Sequence, residues 1–151
     1  MTMVQRSNPI FHEAPSTTTS RPVYRHTSTR AYQNIMVFLN GSASDDQAII
    51  KAIRLARANV AEVTLVSENH VGVEAYLNNL CANLYLQGVK IGEYLVVDSI
   101  ADHALALAKT EQADALVMAR PRVNRMQRLL GGDLIRALRT QTDADVYTVT
   151  A

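Results

Sequence analysis

From residue 34 onward the hydrophobic positions follow two alternating patterns. Short continuous apolar runs give way to longer stretches in which apolar residues return at helical spacing. The run Asn34-Ile35-Met36-Val37-Phe38-Leu39 shows no polar alternation, the signature of a strand covered on both faces. It stops at Asn40-Gly41-Ser42. Ser44 is then placed to cap a helix carrying Ala48, Ile49, Ala52, Ile53 and Ala56 on one face and ending at Asn59. Residues 63–66 predict a second strand, and Leu77, Leu80, Cys81 and Leu84 form the stripe of a second helix stopped by Gly88. A third strand is expected over 90–97, and Asp98-Ser99 then cap a helix with Ile100, Ala104, Leu105, Leu107 and Ala108. Residues 115–119 read as a fourth strand. After a loop, Gly131-Gly132-Asp133 open a short helix with Leu134, Ile135 and Leu138, and residues 145–150 close the chain as a fifth strand. Strict alternation of this kind predicts the α/β class, a doubly wound five-stranded parallel sheet with helices on both faces. Any ligand cleft lies where the strand order reverses.

Residues 1–32 do not share this pattern. They hold Pro9, Pro15, Pro22 and the run Ser16-Thr17-Thr18-Thr19-Ser20, a composition that buries too little apolar surface to offset its ordering entropy. The chain therefore divides into an extended basic tail, 1–32, and a folded domain, 33–151. Ile10, Phe11, Val23, Tyr24 and Tyr32 are the only anchors along the tail, which reads as a disordered segment or as an arm docking on a larger protein assembly. An organelle transit peptide shares the Arg-rich, acid-poor composition, but no amphipathic helix is evident and the prolines oppose one.

Charge and cysteine content narrow the partners. The net charge of +1 over 151 residues excludes a generally basic nucleic-acid coat. The four arginines of residues 1–33 face Glu13 alone, a local +3 that biases the tail toward acidic surfaces. The lone Cys81, on an apolar stripe, reads as a buried inert thiol, and the chain as intracellular, cytoplasmic and metal-free. No apolar run approaches the ~18 residues of a membrane span, so direct membrane insertion is not expected.

Several local features, in order, resemble the universal stress protein (UspA-like) family. They are the strand ending in Asn40-Gly41-Ser42, Gly88-Val89 before the third strand, Ala113-Asp114 before the fourth, and Leu129-Leu130-Gly131-Gly132 before the last helix. The resemblance implies a stress-response protein with strand order 3-2-1-4-5, a switch point between the first and fourth strands, and a homodimer joined through the fifth strands at Val146, Tyr147 and Val149. Nucleotide-binding members carry a loop of Gly, two residues, Gly, nine residues, then Gly-Ser or Gly-Thr. Its glycines let backbone N–H groups approach phosphates at a helix N-terminus. Here those positions are Ala119, Arg122, Gly132 and Asp133, and the acid expected after the first strand is Asn40. The loop is degenerate, and no cofactor is expected.

The alternative is ATP or AMP, bound at Asn40, Gly41, Ser42, Ala119, Arg120, Arg122, Gly131, Gly132 and Asp133 with guanidinium groups replacing the glycine cradle. Arg120, Arg122, Arg125 and Arg128 crowd that loop. They serve equally as a solvated surface or, with Met126, Leu129 and Leu130, as a protein interface centred on Arg125 and Arg128. Nucleic acid is disfavoured because no aromatic residue interleaves with the arginines. His12, His26, His70 and His103 are too scattered for a spaced metal motif, and no nucleophile elbow accompanies Ser42, Asp98 and His103. The expectation is a non-catalytic regulatory or accessory subunit acting through protein contacts.

Overall fold

Strand β2 (Asn34–Leu39) lies at the centre of the sheet and is covered on both faces, from Ile35 at 1% exposure to Leu39 at 0%. The computed structural model describes residues 4–7, 31–119 and 134–149. Around β2 the elements run β1 (Val4–Ser7), α1 (Asp45–Asn59), β3 (Glu62–Glu68), α2 (Val73–Leu86), β4 (Lys90–Val97), α3 (Ile100–Thr110), β5 (Ala115–Ala119), α4 (134–141) and β6 (Asp145–Val149). The sheet order is β1-β4-β3-β2-β5-β6. Its five parallel strands, β4-β3-β2-β5-β6, are the 3-2-1-4-5 arrangement.

Alternation along each buried strand feeds two cores. Ile35, Val37 and Leu39 point to one face, where Ala48, Ala52 and Ala56 of α1 and Leu77, Cys81 and Leu84 of α2 close over them. Met36 and Phe38 point to the other, under Ala104, Leu107 and Ala108 of α3 and Ile135 and Leu138 of α4. Small alanines on α1 bring that helix close to the sheet. Each large side chain buried this way contributes about 2 kcal/mol. Among the described residues no helix is long and apolar enough to cross a membrane.

Three features differ from the sequence pattern. Residues 4–7, expected within an extended tail, form β1 and pair antiparallel with β4, Val4 opposite Val97 and Ser7 opposite Tyr94. A short edge strand is held by main-chain bonds and needs no hydrophobic signature, so composition does not reveal it. Ser44, expected to cap α1, has helical backbone angles and makes no side-chain cap bond. Tyr32, expected as a tail anchor for a partner, is 6% exposed in the chain's own core. Ile10, Phe11, Val23 and Tyr24 lie outside the described residues.

Tyr32 fastens the entry into β2. Its N–H donates to Asn59 Oδ1 at 3.1 Å, and its phenol donates to Asp145 Oδ2 at 2.6 Å and also shares a hydrogen bond with Tyr147. The two rings meet edge to face at 6.2 Å, and Lys51 Nζ lies 4.9 Å from the centroid of Tyr147. Burial, then the bond to Asp145, holds the Tyr32 phenol protonated far above the ordinary tyrosine range. One residue on, Asp114 accepts from the N–H groups of Gln33 and Asn34 at 2.7 and 2.9 Å. The start of β2 is thereby tied to the end of α1 and to the starts of β5 and β6.

Tyr32→Phe keeps the ring and deletes only the hydroxyl, removing one donor from Asp145 and the acceptor that the Tyr147 hydroxyl uses. The expected cost is about 1–2 kcal/mol in urea unfolding, with the slope unchanged. A neutral result would show that the phenol contributes nothing beyond packing.

Candidate functional site

Strand order reverses at β2. The crossover through α1 places β3 on one side of β2, whereas the crossover through α3 places β5 on the other. The chain therefore diverges just beyond Leu39 and Ala119, the place where doubly wound sheets characteristically bind ligands. Asn40, Gly41 and Ser42 form its rim on the β2 side, all exposed, while Ala119 at the end of β5 is 6% exposed. The topology brings these four candidates to one end of the sheet. Arg120, Arg122, Arg125, Arg128, Gly131, Gly132 and Asp133 lie outside the described residues, as do His12 and His26.

The turn after β2 is organised by Asp45, a role the sequence pattern did not assign to it. Its carboxylate accepts from the N–H of Asn40 at 3.1 Å and of Gly41 at 2.8 Å. Gly41 stands at φ +84°, a conformation open to glycine that turns its N–H toward this carboxylate. Asn40 Oδ1 in turn accepts from Ser42 N–H at 3.0 Å. All three rim donors are thus taken by the chain's own side chains. Asp45 is 3% exposed, and its position in the first turn of α1 favours a negative charge. Burial nevertheless raises its pKa above the ordinary 3.8, outweighing the lowering by the Asn40 and Gly41 donors; Asp46 adds to the rise and His70 opposes it. Tyr76, whose ring lies 6.3 Å from that of His70, is raised by burial and then by Asp45 and Asp46.

The neighbouring helix end is also closed by the chain itself. Glu68 Oε2, at the end of β3, accepts from Ile100 N–H at 2.9 Å, and Ser99 Oγ accepts from Asp102 N–H at 3.4 Å. His103 Nε2 lies within hydrogen-bond distance of Asp98 Oδ1, at 2.9 Å. Cys81 is fully buried, and burial pushes its thiol up to about 11, so it is unreactive. Among the described residues no group of three or more His, Cys, Asp or Glu side chains could hold a metal.

On the opposite edge of the sheet from β1, strand β6 pairs with β5. Val146, Tyr147 and Val149 are half-buried there, Val146 against one core and the other two against the second. Arg139 Nη2 donates to the Val146 carbonyl at 3.3 Å.

Comparison with solved structures identifies this arrangement. A universal stress protein in complex with cAMP is 26% identical at a TM-score of 0.65, over 80% of this chain and 98% of that one. A protein from Mycobacterium tuberculosis H37Rv is 25% identical at a TM-score of 0.53, over 82% and 100%. A universal stress protein from Archaeoglobus fulgidus in complex with dAMP is 17% identical at 0.53, over 79% and 98%, a likeness of fold alone. The fold is the one seen in solved universal stress proteins. The chain is UspA-like, as the sequence resemblance implies. No protein-family model and no curated protein matches the sequence, so this assignment rests on structure.

A pKa raised in the folded state gives a definite sign. The folded state favours protonated Asp45 more than the unfolded chain does, so its contribution is fully present below the unfolded value of 3.8 and is lost as pH rises through the raised folded value. Urea unfolding of wild type and Asp45→Asn between about pH 3 and pH 7 isolates this group. The difference between the two should move in the wild type's favour as pH falls through that window and be flat near neutrality. A pH-independent difference would show that the carboxylate is not buried as described.

Proposed function

We propose that this chain acts by binding rather than by turnover, as a cytoplasmic UspA-like regulatory or accessory subunit that works through protein contacts. One observation carries the reading: the Asn40, Gly41 and Ser42 N–H groups at the switch point are already occupied by Asp45 and Asn40. A phosphate entering there would compete with a buried carboxylate and meet its charge at short range. The residues that follow β5 agree, because Arg122 and Asp133 stand where nucleotide-binding members of the resembled family carry glycine and a hydroxyl residue. Two surfaces would carry the contacts. One is the β6 edge, which joins two copies antiparallel about a two-fold axis. The other is the N-terminal segment with its Ile10-Phe11 and Val23-Tyr24 anchors.

A second reading is favoured by the two solved structures in complex with cAMP and dAMP. In it the switch point takes an adenine nucleotide, with Arg120 and Arg122 supplying the phosphate contacts that the missing glycines do not. Base and ribose would then carry more of the affinity than the β2 turn.

Thermal unfolding with ATP, AMP and cAMP separates the two. A nucleotide present at about 100 times its Kd adds ~2.7 kcal/mol to the stability of the folded state. The first reading expects no change in Tm at millimolar nucleotide. A shift that disappears in Arg120→Ala/Arg122→Ala replaces it with the second. For the homodimer, light scattering at high micromolar concentration should report twice the monomer mass, and Val149→Lys should return it to the monomer. A wild-type monomer at that concentration excludes the β6 contact.

A further inference from the structure

The other edge of the sheet is divided into two unlike halves. Along β4, Lys90 and Glu93 carry charges, and Gly92 is the extra residue of a β-bulge, since Val63 pairs with Ile91 and Thr64 with Glu93. Lys90 Nζ lies 3.8 Å from Glu62 Oε2. Charges and bulges of this kind keep an edge from pairing with other strands. The second half, Tyr94-Leu95-Val96-Val97, has no charge and no bulge. Its residues are buried, with exposures of 4%, 0%, 4% and 1%. Left bare, it is the type of edge that accepts another strand.

β1 covers that half and stops there. Its four residues pair with Tyr94–Val97 and with nothing in Lys90–Glu93. The strand is attached through the 23 residues between Ser7 and Ala31. Ser7 lies opposite Tyr94, whereas Asn34, three strands away, is level with Glu62 and Lys90. The gap to be bridged is therefore about 20 Å, from strand spacings of ~4.8 Å and a rise of ~3.3 Å per residue. A connection of this length reaches up to ~80 Å when extended. The same backbone bonds can form within one chain or between two chains, and connection length restricts neither.

We propose that the Tyr94–Val97 edge is an exchangeable strand-docking site, filled by Val4–Ser7 of its own chain or by the same strand of a second copy. The contacts are identical in the two forms, so the balance is set by the effective concentration of a strand tethered through 23 residues, on the order of millimolar. Exchange between copies grows with protein concentration, and it grows further in any assembly that holds copies together. This site is independent of the β6 edge and of the nucleotide question, and it makes β1 the guard of an edge as well as a means of joining chains.

Disulfide trapping with the full-length chain tests the proposal. Gln5 lies opposite Val96, and either class of antiparallel pair places the Cα atoms within disulfide range. Leu95, one position along, belongs to the opposite sheet face. A single chain carrying both Gln5→Cys and Val96→Cys should close an internal disulfide under oxidised glutathione. A mixture of chains carrying Gln5→Cys with chains carrying Val96→Cys should give a covalent heterodimer whose yield rises with concentration toward the millimolar range. Replacing Val96→Cys by Leu95→Cys should reduce that yield to the level of random collision. The proposal is overturned if the doubly substituted chain fails to close, if no heterodimer forms at any concentration, or if Leu95→Cys traps as well as Val96→Cys.

Discussion

Burying one strand on both faces and both edges is a demand that the rest of the fold must meet. β2 has parallel neighbours on either side, and its Ile35–Leu39 run is sealed above and below. Covering both faces requires helices on both, and a right-handed crossover can place a helix on only one face for each direction of travel across the sheet. The chain must therefore reverse direction at β2, and α1 and α2 come to lie on one face while α3 and α4 lie on the other. The switch point between Asn40 and Ala119 is a consequence of that reversal. The site is where it is because of the core.

The chemistry of the switch point depends on a few local choices. Gly41 in the left-handed region turns its N–H inward, and Asp45 reaches back from the first turn of α1 to take it together with that of Asn40. A turn that could receive an anion is closed by the chain's own acid. Glu68 does the same for the N-terminus of α3. The turn before α1 and the first turn of α3 are thus satisfied internally, the former at the cost of burying the Asp45 carboxylate.

Much of this was legible in the sequence, because parallel strands and amphipathic helices write their periods directly into the hydrophobic pattern. The continuous run of β2, the Ala-rich face of α1, the stripe through Cys81 and the Ser99 cap all have that origin. What escaped is held by contacts with no period. β1 is a main-chain ladder between residues some 90 positions apart. Tyr32 finds its partners 113 and 115 positions away. Ser44 stands at helical angles and makes no cap bond, and the donors of the turn go to Asp45, a pairing with no period in the sequence. An acid four positions after the Asn40-Gly41 pair that follows the strand is the signal that could have marked Asp45's role.

The central claim is that the rim of the switch point is closed from within. Amide hydrogen exchange at Asn40, Gly41 and Ser42, followed by NMR with and without saturating cAMP, tests it most directly. The account predicts protected amides at all three positions, unchanged by the nucleotide. Rapid exchange in the free protein, or protection that appears only when cAMP is added, would contradict it.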